Sequence, residues 1–201
     1  TIEDMQLLVD TLLAIARNTT NTLSTQEMLL SQVLSDLVQD LSQVSQSKGI
    51  HIDLDLEIDE TPRALYPSMT KMVFGNILRN ALNYSEGSEI DVLMRKHHVL
   101  IADNGIGIHL SEQQKVQELS DPNLQLEIKG HGIGLQLVQK LCQQLGWRVE
   151  LFDRQYYLAT HQDVDLTPTT GLIVVVYLNQ NNKASTDLRL YRALRRLLVH
   201  L

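Results

Sequence analysis

Asp103-Asn104-Gly105-Ile106-Gly107-Ile108 and Gly130-His131-Gly132-Ile133-Gly134-Leu135 are the two stretches on which the reading of this chain turns. Together they hold five of its ten glycines, so glycine is placed here rather than scattered. Glycine tolerates positive φ and lets another group approach the backbone where a Cβ would intrude. The second cluster runs straight into an apolar-periodic segment, Ile133–Leu145, which predicts a helix. Its leading N–H groups and its dipole would face an anion. The pair therefore predicts a nucleotide-phosphate site. A glycine pair alone is weak evidence, and the flanking chain must supply the context.

Upstream, Ser68 is placed to cap a helix whose apolar side holds Met72, Val73, Ile77, Leu78, Ala81 and Leu82. On that helix Asn76 and Asn80 lie one turn apart and Tyr84 follows a turn later, a polar row beside the apolar one. Strands are predicted at Glu89–Arg95 and Val99–Asp103, the second leading into the first glycine cluster. Ile50, Ile52, Leu54, Leu56 and Ile58 alternate with His51, Asp53, Asp55 and Glu57, the pattern of a half-buried strand. His51 and those acids thus read as a wetted edge rather than a metal site. A connector from Pro62 to Pro67 joins this strand to the asparagine helix.

Further upstream, Ser24-Thr25-Gln26-Glu27 has capping-box spacing before Leu30, Val33, Leu34, Leu37, Leu41 and Val44, with Gly49 as the stop. Ile2, Met5, Val9, Leu12 and Ala16 step by three and four, as in a helix packed in a bundle or dimer. The polar run 18–22 ends it. Between the glycine clusters, residues 109–129 are polar and aperiodic, which predicts a lid or binding loop. Beyond Leu145 come strands at Arg148–Phe152 and Leu172–Leu178, a polar loop between them, and a closing helix at Asp187–Leu201.

The composition narrows the class. Of 201 residues, 43% are apolar and 20% charged, an ordinary globular balance. A net charge of −7 argues against a nucleic-acid partner or an anionic membrane surface. The single cysteine, Cys142, excludes a disulfide framework and a cysteine zinc site. No apolar run approaches the roughly 20 residues of a membrane span. Thr1 is not a start methionine, so the chain reads as a piece of a longer protein, with any membrane or sensor part outside it.

Phe74–Tyr84 (F-G-N-I-L-R-N-A-L-N-Y) resembles the N box of the GHKL ATP-binding domains, and D-N-G-I-G-I and G-H-G-I-G-L resemble the two glycine boxes of that fold. The branch it looks most like is the sensor histidine kinases of two-component signalling, over roughly residues 2–180. The resemblance implies an α+β fold, a two-layer sandwich with a mixed sheet under about three helices, preceded by a bundle-type helix. It implies residues 1–22 as the second helix of a dimerisation and phosphotransfer hairpin, 23–180 as the ATP-binding domain and 181–201 as a tail. It further implies ATP and Mg²⁺, with Asn80 on the metal, Asn76 beside it, and Asp103 on the adenine amino group. Tyr84, Gly105, Gly107, Lys129, Gly130, His131, Gly132, Gly134 and Leu135 would complete the ATP site.

The chemistry suits these types. Mg²⁺ wants oxygen ligands, mostly from phosphate and water, and an asparagine carbonyl adds one without repelling a triphosphate. An ionised carboxylate only accepts, so Asp103 selects a base edge that donates. In the hydrolytic branch of the superfamily a glutamate one turn before the metal asparagine activates water. Here that position is Asn76, which favours transfer to an external nucleophile. None of the seven histidines has the acceptor context of the family, so the acceptor is expected upstream of Thr1. Asn83 stands where relatives carry a basic residue, for which Arg79 or Lys129 could substitute, and the lid lacks phenylalanine. The expected whole is a cytosolic kinase region of a membrane sensor, a homodimer through the hairpin, serving a response-regulator receiver domain. The alternatives are a non-catalytic docking module and an anti-sigma-type serine kinase.

Overall fold

The computed structural model describes residues 24–57, 61–84, 86–107, 133–161, 164–167 and 169–178. The predicted N-terminal helix, the lid, the first half of the second glycine cluster and the closing helix lie outside them. The first described element is a short strand, β1 (Gln26–Met28), followed by α1 (Leu30–Lys48) and β2 (His51–Leu56). β1 pairs antiparallel with β3 (Arg63–Leu65), Gln26 opposite Leu65. That pairing corrects the capping-box reading of Ser24–Glu27, because it claims the backbone the box would have used. The residue before α1 is Leu29, extended and without a side-chain cap. At the other end Gly49 does stop the helix, at φ 68, with Ile50 N–H donating back to Ser45 O at 2.9 Å.

α2 (Pro67–Tyr84) starts on its proline, whose missing N–H costs nothing in a first turn. Ser68 therefore lies inside the helix rather than capping it. β4 (Glu89–Arg95) and β5 (His98–Asp103) follow as a hairpin turning at Lys96 and His97, so His98 opens a strand. α3 (Ile133–Leu145) leads to β6 (Arg148–Asp153) and, later, β7 (Leu172–Tyr177). The five long strands form one mixed sheet in the order β2-β4-β5-β7-β6. β2 runs parallel to β4, which the α2 crossover requires, and the other pairs are antiparallel.

Alternate residues of the central strands face opposite cores. Ile90, Val92, Val99, Ile101, Val174 and Val176 pack under α1, α2 and α3 with Phe74, Ile77, Val138 and Trp147. This is the expected two-layer sandwich with three helices on one face. Leu93, Leu100, Ala102, Ile173 and Val175 point the other way, into a second, smaller core. The cover of that core is α4 (Arg154–Thr160) and the chain after it, which corrects the reading of a polar loop between β6 and β7. Asp153 caps α4 by accepting from Tyr156 N–H at 3.0 Å. Tyr157, Leu158, Val164 and Leu166 then lie against the sheet.

Candidate functional site

One cleft opens where α2, α3, the end of β5 and the start of β7 meet. Its floor is apolar, from Ile101, Val174 and Leu172 of the sheet, with Ile77 and Ala81 of α2 and Leu135 of α3 at the sides. Two polar side chains reach it, Asn80 and Asp103. Its lip carries Ile106, 71% exposed although apolar, with Gly107 beside it. A flat, largely apolar ligand with a hydrogen-bonding edge fits such a lining.

Asp103 is the last residue of β5 and 6% exposed. Its Oδ1 accepts from Gly105 N–H at 2.9 Å, which folds the glycine turn around the carboxylate. The neighbouring Asn104 ties that turn to the segment after α2. Its Oδ1 accepts from the Ser88 and Glu89 N–H groups at 2.8 and 2.9 Å. Gly107 has φ 72, and a Cβ there would sit 3.1 Å from Gly171 N and O. Glycine is needed on both counts.

On α2, Asn76 is fully buried and its Nδ2 donates to Met72 O at 2.7 Å. Its Oδ1 is buried without a hydrogen-bond partner among the described residues, and so is Nδ2 of Asn80. Unsatisfied amides one turn apart are costly in a core, and of the two it is Asn80 that lines the cleft. Asn80 packs against α3, since a Cβ on Gly134 would come within 3.1 Å of its Oδ1. No cluster of three or more His, Cys, Asp or Glu side chains among the described residues could hold a metal alone. Asn80 offers one hard side-chain oxygen at the cleft, which fits a cation that takes its other ligands from phosphate and water.

The structure brings Asn80, Asp103, Gly107 and Leu135 together around the cleft, with Gly105 and Gly134 packed behind. Asn76 lies one turn below Asn80 in the core. Tyr84 ends α2, and its side chain, like Lys129, Gly130, His131 and Gly132, lies outside the described residues. Arg79 does not reach the cleft: its guanidinium folds over Gly75, beside Leu37 of α1, and burial lowers its pKa. A cation missed by the sequence reading stands at the end of α2 instead. Lys48 Nζ donates to Asn83 Oδ1 at 2.7 Å and to Leu82 O at 3.0 Å. Only the parallel run of α1 back to α2 brings it there, so spacing gave no signal for it.

The family model described as histidine kinase-, DNA gyrase B- and HSP90-like ATPase matches residues 67–182. Among curated relatives, the sensor protein QseC of Escherichia coli K12 is 29% identical over 146 residues, 71% of this chain and 32% of that protein. The histidine-protein kinase BarA of the same strain is 26% identical over 155 residues, 69% of this chain and 17% of that one. The chain thus spans a third or less of the length of these relatives. Among solved structures, the cytoplasmic segment of histidine kinase QseC superposes with a TM-score of 0.58 at 22% identity, covering 89% of this chain and 95% of that one. Acinetobacter baumannii histidine kinase AdeS gives 0.57 at 16%, covering 90% and 77%. Both show the fold. With more than half of its length matched, this chain belongs to the histidine kinase-, DNA gyrase B- and HSP90-like ATPase family, and it is homologous to the sensor histidine kinases QseC and BarA.

Proposed function

We propose that this chain is the nucleotide-binding part of a sensor histidine kinase, binding ATP with Mg²⁺ and presenting the γ-phosphoryl to a histidine supplied from elsewhere in the intact protein. The observation that carries the reading is the meeting of Asp103 and Asn80 across one apolar cleft. Asp103 accepts from the amino group of adenine, while Ile106 and the glycine turn cover the base. Asn80 would offer its side-chain carbonyl to the metal from the α2 side of the cleft, with Asn76 beneath it. By the family resemblance Gly130, Gly132 and Gly134, with Lys129 and His131, would face the phosphates. Mg²⁺, when bound, neutralises phosphate charge and orients the γ-phosphoryl.

Asn76 cannot take a proton from water at neutral pH, so nothing at its position favours hydrolysis. The imidazole nitrogen of the acceptor attacks phosphorus, the bond to the ADP oxygen breaks, and the imidazole proton leaves to solvent. The phosphoryl group then passes to a receiver-domain aspartate. Lys48 supplies a positive charge beside Asn83, where relatives carry their own basic residue.

Calorimetry with a non-hydrolysable ATP analogue tests the site. Asp103→Ala should weaken binding at least tenfold, the worth of one charge-assisted hydrogen bond. Asn80→Ala should abolish the Mg²⁺ dependence of what binding remains. Unchanged affinity in Asp103→Ala removes the site assignment. Wild-type protein that binds no analogue is instead a docking module.

A further inference from the structure

The backbone carbonyl of Asp103 is approached from behind by two groups of the β6–β7 connection. One is Gly171, at φ 144, where a Cβ would lie 1.9 Å from Asp103 O. The other is Arg154, the first residue of α4, whose Nη1 donates to that oxygen at 3.0 Å. Arg154 is 1% exposed, and its remaining nitrogens are also engaged. Its Nη2 lies 2.9 Å from Asp91 Oδ2 on β4, and its Nε donates to Thr167 O at 3.1 Å. Arg154 N–H donates to Gly171 O at 3.0 Å, and Thr170 Oγ1 donates to Gly105 O at 2.7 Å. Leu172 N–H reaches Asp103 Oδ1 at 3.4 Å. The connection and the first residue of β7 therefore hold the glycine turn at three points: the Asp103 carbonyl, the Asp103 carboxylate and the Gly105 carbonyl.

A plain hairpin between β6 and β7 would close in about two to five residues, and none of these contacts would exist. Asp91 holds the other end of the guanidinium. In the sheet register Asp91 is opposite Ala102, the residue before Asp103, so the guanidinium is anchored one strand away from the carbonyl it holds. Arginine suits this place because its planar fork serves several acceptors in fixed directions. A buried ion pair is weak evidence for stability, since apolar replacements of similar volume are often as stable. Orientation is the role left for it.

We infer that Arg154, anchored by Asp91, is a positioning residue for base recognition: it fixes the end of β5 so that the Asp103 carboxylate meets the amino edge of adenine. This rests on the reading of Asp103 given above. Arg154 does not touch the nucleotide. It sets how sharply the site separates an amino-bearing purine from its 6-oxo counterpart.

The test compares ATP with inosine triphosphate, which differ at that edge, by calorimetry on the full chain. Arg154→Met alone leaves Asp91 buried and uncompensated, so the paired variant Asp91→Asn with Arg154→Met is the decisive one. It should keep a cooperative thermal transition while the ratio of ATP to inosine triphosphate affinity falls about tenfold, with inosine triphosphate affinity unchanged. Arg154→Lys, which keeps the charge but not the fork, should recover only part of the ratio. Equal weakening of both nucleotides, an unchanged ratio, or failure of the paired variant to fold assigns the pair to stability and overturns the inference. Wild-type protein that does not discriminate between the two nucleotides fails the reading of Asp103 and the inference with it.

Discussion

Asp91 shows how a single residue can be held at a cost. Its burial raises the carboxyl pKa above its usual 3.8, and Arg154 only partly offsets that, with Glu89 and Asp53 pushing the same way as burial. The native state therefore binds the Asp91 proton more readily than the unfolded chain does. The stability from this group is fully present below about 3.8 and is lost as pH rises through the raised native value. Unfolding free energy of wild type relative to Asp91→Asn should accordingly fall over that window and level off above it. Urea titrations across pH check this, and a relative stability that climbs instead would contradict it. At this scale the sequence was legible where chemistry is local. Asp103 and Asn80 stand beside glycines or one turn from a like residue, and both reach the cleft. Arg154 and Asp91 were not legible, because an ion pair between α4 and β4 leaves no spacing to read. Lys48 was missed for the same reason.

Elements with a clear period were read almost to the residue: α3, β4 and β5 follow from apolar stepping or from runs bounded by turns. α4 was missed because seven residues hold under two helical turns, too few for periodicity to speak. Asp153 three residues ahead of Tyr156, and a connection too long for a hairpin, were the available signals. β1 and β3 are three residues each, and only their mutual pairing makes them strands. The weight of α4 rests on Tyr157, 4% exposed, its ring 4.9 Å from Phe152 and stacked at 3.9 Å on His161. Tyr157→Ala should cost about 3 kcal/mol, as large aromatic truncations do. Denaturant unfolding measures it. A loss under about 1 kcal/mol would mean that α4 covers the sheet without stabilising it.

Among the described residues the molecule is a sheet with unequal faces, three helices on one side and a small cap on the other, and the cleft lies at the end of β5. That overall plan was legible, since alternation, helix period and glycine placement all pointed the same way. The cap was not, because both faces of β5 and β7 are apolar and a doubly buried strand says nothing about what covers it. The interior is dry enough to silence its one thiol. Cys142 is 1% exposed and its pKa is pushed up to about 12 by burial, so it stays protonated at neutral pH. A thiol reagent should label it only as fast as the fold opens, with a rate that follows the urea midpoint. Rapid labelling in native buffer would place α3 outside the main cooperative unit. The same niche holds the chain's one tryptophan, Trp147, 5% exposed and 5.8 Å from the ring of Phe74 on α2. Its N–H backbone group is tied to Cys142 O at 2.7 Å, at the far end of the helix whose first turn packs on Asn80. Every photon of indole emission from this protein therefore comes from one address, where the asparagine helix and the glycine-box helix lean together, and a tilt between them is written into the colour of the light without any dye.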